Sequence, residues 1–176
     1  MGEKVKAKDI VRCLARYYPR AAFVTELTLT DDTVADAWIA LRAANIGKDT
    51  VTEAQKTMCY KFVPRERRID LLMYNSNTYT AIEIKVSYAD FKRETEEKRR
   101  GWQSVTDRFI YVCPPNIIPV TEVPRGCGLW YVDVTAPWFE QVKIVKRATI
   151  NKNRLPFPER LFKILMYRAM KVDKSR

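Results

Sequence analysis

Three residues in the middle of the chain have the types and spacing to do chemistry together: Asp70, Glu83 and Lys85. Asp70 stands in the run RRIDLLMY and the other two in TAIEIKV, with Asn75-Ser76-Asn77 between the runs. Period-two alternation on both sides of such turn residues predicts a β-hairpin. With the turn centred between Ser76 and Asn77, Asp70 falls opposite Glu83, Ile69 opposite Ile84 and Leu71 opposite Ile82. Ile69, Leu71, Met73, Ile82, Ile84 and Val86 then form an apolar face, and Arg68, Asp70, Glu83 and Lys85 a polar one. A one-residue slip would invert both faces, so the register is well specified.

Carboxylates facing each other across a hairpin, with stems roughly 5 Å apart, repel. A divalent cation compensates directly: Mg²⁺ binds one or two carboxylates, keeps several waters and accepts substrate phosphate. Lys85, two residues beyond Glu83, projects from the same face. Metal-assisted phosphodiester hydrolysis needs this layout. The competing reading, two exposed strand acids beside a lysine, is the less favoured one.

Composition narrows the alternatives. The 176 residues contain no histidine, which excludes Ser-His and Cys-His catalysis and His-containing zinc sites. Carboxylate-metal chemistry survives. The four cysteines, Cys13, Cys59, Cys113 and Cys127, form no CxxC pair and read as reduced thiols. The formal charge of +11 favours a polyanionic partner, although ribosomal, membrane-surface and merely soluble basic proteins share such an excess. From Gln141 to Arg176, eleven Lys or Arg stand against Glu159 and Asp173, so most of the surplus is C-terminal. No apolar run reaches transmembrane length and MGEKVKAKD lacks a signal-peptide core; the expectation is a cytoplasmic protein without membrane contact. A single domain is the simplest organisation at this length.

The elements around the hairpin can be read in order. Ile10, Val11, Leu14, Tyr17 and Tyr18 predict a helix ended by Pro19. Residues 22–29 alternate as a strand, with Phe23, Thr25, Leu27 and Leu29 on one side and Glu26 on the other. Residues 30–62 read as an insertion with a helix near Asp32 and a second short helix; VADAWIAL also fits a strand, and as a strand it would make Asp36 a rival for the first acid. After the hairpin, Ser87 and Asp90 open a helix expected over 88–102, in a variant of the capping box. RFIYVC (108–113) predicts a buried strand, which implies a right-handed βαβ crossover. Strands over 128–134 and 139–145 follow. A polar, proline-punctuated linker leads to a basic helix over 158–170.

This order resembles the PD-(D/E)xK nuclease superfamily, whose αβββαβ core would be a restriction-endonuclease-like α/β fold with a central mixed sheet flanked by helices. More closely, EIKVSYADF (83–91), Lys98, DRFIYV (107–112), a proline-rich loop and Gly128-Leu129 resemble the MmcB-like DNA-repair family and its bacteriophage relatives, over about residues 66–134. A weaker echo lies at Phe23-Val-Thr-Glu26 and Val145-Lys-Arg147. The resemblance implies Asp70, Glu83 and the Ile84 carbonyl as ligands of Mg²⁺ or Mn²⁺, with Glu26 as an additional or supporting ligand. It makes Lys85 the residue that positions or activates the attacking water. Arg68, Lys98, Lys143, Lys146, Arg147, Lys152 and Arg154 are the candidate nucleic-acid contacts. Asp90-Phe-Lys92 and Glu96-Glu-Lys98 are also (D/E)xK strings but fall in the polar helix, without apolar strand context.

The implied activity is DNA hydrolysis in repair, recombination or phage DNA metabolism. The alternative from another class is a non-catalytic or partner-dependent DNA-binding module on the same fold. A sequence-specific restriction-type enzyme ranks lower, since no separate reading domain is evident. Strandedness, DNA against RNA, exo against endo cleavage and oligomeric state are left open, a homodimer included.

Overall fold

Local signals and tertiary burial agree along most of the chain. The structure, a computed structural model, describes residues 5–30 and 66–173. The expected helices of the 30–62 insertion, and Asp36 with them, lie outside the described residues.

Helix α1 (Ala7–Tyr17) forms because Ile10 and Leu14, one turn apart, bury one stripe with Cys13 between them. Asp9 in its first turn accepts the Lys6 backbone N–H, and the chain leaves the helix two residues before Pro19. Six strands follow in one mixed sheet: β1 (Ala22–Thr30), β2 (Glu66–Asn75), β3 (Thr78–Ile84), β4 (Arg108–Cys113), β5 (Gly128–Val132) and β6 (Val142–Lys146), ordered in space as in sequence. β3, β4 and β5 run parallel, and the remaining neighbours are antiparallel.

From Asn75–Thr78 to Leu71–Ile82 the hairpin has the expected register, whereas the expected Asp70–Glu83 and Ile69–Ile84 pairs are not part of the ladder. Ser76 and Asn77 both adopt positive φ, 49° and 60°, as a two-residue turn needs to match the strand twist. Between β3 and β4 the single helix expected over 88–102 is two: α2 (Tyr88–Lys92) and α3 (Glu96–Val105). Thr95 causes the division, because its hydroxyl accepts the Lys98 N–H and starts a new helix. Ser87 caps α2 in the same way through Asp90 N–H.

Helices cover both sheet faces. α1 packs on Leu71, Ile82, Ile84 and Val112, whereas α3 packs on Leu72, Ala81 and Phe109 on the other side. There Trp102 is fully buried and donates its indole N–H to the Arg67 carbonyl at 2.9 Å. Helix α4 (Glu159–Asp173) closes the α3 side through Leu161, Ile164 and Leu165.

One correction applies to the face assignment. Ile69 packs with Leu72 on the α3 side, not with Leu71 and Met73 on the α1 side. Leu27 and Leu29 in β1 likewise join the α3 side, while Phe23 lies on the α1 side. Both changes occur at one rung. Glu26 has φ 50°, and the Glu26–Asp70 pair is missing from a ladder that holds Thr25 opposite Leu71 and Leu27 opposite Ile69. A left-handed residue inside a strand reverses the alternation, and such irregularities re-aim side chains. Arg168 of α4 donates to the Thr25 and Glu26 carbonyls at 2.6 and 2.9 Å, satisfying acceptors at the break.

Candidate active site

Glu83 pairs with Tyr111 of β4, and Lys85 N–H donates to the Val112 carbonyl at 2.9 Å, so β3 is held one residue past its end. Glu83 and Lys85, two apart, share the α3 face of the sheet. Asp70 reaches them from β2. The β2–β3 ladder runs as far as Leu71 opposite Ile82, and beyond it Asp70 Oδ2 accepts the Ile84 N–H at 2.8 Å. The reversal at the Glu26–Asp70 rung thus leaves Asp70 with its carboxylate tied to the strand that carries the other two residues.

Lys85 is 5% exposed and lies between two carboxylates, with Nζ at 2.9 Å from Glu83 Oε1 and 3.0 Å from Glu94 Oε2. Glu94 occupies the break between α2 and α3, and its side chain is 7% exposed. Sequence reasoning missed it. Read as one of several charges on a continuous polar helix, Glu94 looks solvated; Thr95, a capping residue mid-run, was the available sign that the helix divides there.

Burial pushes the Glu83 carboxyl up to about 7, reinforced by the Asp70 charge and opposed by Lys85. Burial also raises Asp70, against the Ile84 N–H, Lys85 and Arg68, which favour its charged form. For Lys85, burial alone would lower the pKa; Glu83 and Glu94 outweigh it and hold the ammonium above its usual range. Displaced carboxyls beside a fixed cation in a cleft are a recognised mark of functional sites.

These groups line a cleft of about 500 Å³, together with Arg68, Lys98, Asp90 and Ile84. Arg68 and Lys98, proposed from sequence as nucleic-acid contacts, therefore border the candidate site. Glu26 does not. It is exposed and absent from the lining, because its positive φ takes it out of the strand alternation.

The C-terminal basic residues also lie elsewhere. Lys146 donates to the carbonyls of Val123 and Pro124, and Arg154 pairs with Asp107 at 2.8 Å while lying over the Tyr79 ring. Both tie the C-terminal segment to the body of the chain. Arg147 lines a different groove, and Lys143 and Lys152 are exposed. Trp102 and Trp130 are core, and Trp138 is 58% exposed.

Among the described residues, no three His, Cys, Asp or Glu side chains group so as to hold a metal ion by themselves. Also among the described residues, no helix is long and apolar enough to cross a membrane. No family model and no curated protein matches the chain. Among solved structures, the chain is similar to SPO1766, a protein of unknown function from Silicibacter pomeroyi, at 18% identity and a TM-score of 0.55, covering 98% of this chain and 90% of that one. This likeness concerns the fold alone.

Proposed function

We propose that the chain is a metal-dependent nuclease with a restriction-endonuclease-like core, hydrolysing phosphodiester bonds in DNA in the course of repair, recombination or phage DNA metabolism. The observation that carries this reading is the convergence of Asp70, Glu83 and Lys85 from adjacent strands into one cleft.

The donor set suits Mg²⁺ or Mn²⁺. Asp70 uses Oδ2 for the Ile84 N–H and Glu83 uses Oε1 for Lys85, which leaves one oxygen on each carboxylate for a cation. Two carboxylates completed by waters and phosphate are a usual complement for Mg²⁺. Burial raises both carboxyls, with the Asp70 charge adding to it at Glu83, and a bound dication would relieve both. Such an ion lowers the pKa of a bound water and stabilises the leaving oxygen. Within this reading Asp70 and Glu83 hold the ion, Lys85 faces the charge that develops on phosphate, and Arg68 and Lys98 orient the strand. Cleavage of labelled linear, flapped and circular DNA with Mn²⁺ tests it. K85A should lose at least 100-fold in rate; equal rates in both proteins would overturn the assignment.

A second reading has its own observation. Lys85 is engaged by both Glu83 and Glu94, an arrangement suited to a module that stays closed until a partner binds. Calorimetric titration with Mn²⁺ separates the two: binding abolished by D70A supports the nuclease, and no binding in the isolated chain supports the module.

A further inference from the structure

The second large concavity lies on the opposite sheet face from the cleft and shares no residue with it. Helix α1 leaves it open. Its eleven residues span about 16 Å at 1.5 Å per residue, whereas the seven of β3 extend about 23 Å. α1 therefore covers the end of the sheet carrying Ile82, Ile84 and Val112, and the hairpin end remains as a groove of about 390 Å³.

Its chemistry is one-sided. Arg108, half-buried, and Arg147, exposed, both line it, and among the described residues no Asp or Glu does. Neither arginine has a carboxylate partner among the described residues. The nearest acid in sequence, Asp107, is occupied: its carboxylate accepts the Tyr79 N–H at 2.7 Å and Arg154 Nε at 2.8 Å. Ser76, Thr78 and Asn75 of the hairpin turn add hydroxyl and amide groups, and Tyr18, stacked on Trp130 with ring centroids 5.5 Å apart, forms a wall. Two guanidinium forks lining one groove without a carboxylate partner match phosphate oxygens.

We propose that this groove is a phosphate-binding site, with Arg108 and Arg147 as its ligands, separate from the Asp70–Glu83–Lys85 cleft. The phosphate can be carried by a free nucleotide or by a nucleic-acid strand. The proposal stands independently of the nuclease reading, because it uses none of the cleft residues and no metal.

The test is calorimetry on the full chain in EDTA with three probes: inorganic phosphate, a deoxynucleoside 5′-monophosphate and a 12-nucleotide oligothymidylate. Backbone amide shifts at Ser76–Thr80 locate the binding by NMR. Wild type should bind at least one probe with shifts at the hairpin turn, and R108A/R147A should weaken it at least tenfold. R108K/R147K should fall between the two, because it keeps the charge and loses the fork.

For the oligonucleotide, the double alanine variant should also lower the dependence of log K on log salt by about 1.4, at about 0.7 per phosphate contact on a single strand. Affinity similar for monophosphate and oligonucleotide assigns a nucleotide site; affinity at least tenfold higher for the oligonucleotide, lost in the same variant, assigns a strand. Among the described residues neither arginine makes an ion pair, so unchanged circular dichroism is expected in both variants. Absence of binding by all three probes, or a double alanine variant that binds like wild type, would overturn the proposal. R108A/R147A leaves every cleft residue in place, so its Mn²⁺ binding should match wild type whatever its phosphate binding, which keeps the two readings distinguishable.

Discussion

The Asp70 carboxylate accepts the backbone N–H of Ile84 at 2.8 Å, so the first acid is fastened to the strand that carries the second acid and the lysine. The bond replaces the cross-strand step that would otherwise follow Leu71–Ile82. It also fixes which carboxylate oxygen faces the cleft. An asparagine at 70 keeps a carbonyl for the Ile84 N–H and removes a charge whose burial is unfavourable. D70N should therefore melt at or above the wild-type temperature, by up to about 1 kcal/mol in stability, while losing Mn²⁺ binding. Thermal melts in EDTA and calorimetry check the two halves.

Glu83 gives a pH dependence of definite sign. Its native pKa of about 7 lies above its ordinary value of 4.5, so between these values the folded chain holds a proton that the unfolded chain has released. Its contribution to stability is then present at pH 4.5 and is lost as pH rises towards 7. Urea denaturation without divalent ions should show wild type losing on the order of 2–3 kcal/mol more than E83Q between pH 4.5 and 8. A pH profile identical in the two proteins would show that Glu83 ionises normally.

Glu94 holds Lys85 from the α2–α3 break. E94A leaves a buried ammonium with one partner instead of two, and loss of a buried partner costs about 3–5 kcal/mol. E94Q keeps an acceptor and should cost less than half as much. On the nuclease reading, E94Q retains Mn²⁺ affinity within threefold while kcat falls at least tenfold, since the ion's ligands are intact and only the ammonium is mispositioned. Chemical denaturation, calorimetry and single-turnover cleavage measure the three quantities.

The basic residues divide by location into two behaviours. On the nuclease reading, R68A and K98A, at the cleft, should each reduce the salt dependence of oligonucleotide binding by about 0.7 in log–log slope, with stability unchanged. R154A, which breaks the Asp107 pair and the Tyr79 contact, should destabilise by about 1–2 kcal/mol and leave the slope unaltered. Fluorescence-anisotropy titrations at several salt concentrations, beside urea melts, discriminate them.

The hairpin was legible from residue types from its turn as far as Leu71 and Ile82. Alternation about Asn75-Ser76-Asn77 determines which residues face each other, because side chains alternate with period two and the turn tolerates positive φ. Glu83, Lys85 and their strand, the α1 stripe and the β4 strand follow from the same local rules. Three features rest on contacts between distant segments, which periodicity does not encode. The reversal at Glu26 and Asp70 depends on β1 pairing with β2 across the intervening stretch, and it moves Ile69 to the other face and takes Glu26 away from the cleft. Glu94 becomes a partner of Lys85 only because the two helices between β3 and β4 fold back over the strand ends. The C-terminal charge surplus, visible in composition, is distributed by the fold: Lys146 and Arg154 to structural contacts, and Arg147 to a groove on the opposite face from the cleft. Sequence determined the chemistry on offer, since residue type sets charge and local period sets the strand face. Tertiary packing decided which charges meet, because only it brings β1, the α2–α3 break and the C-terminal segment against the hairpin.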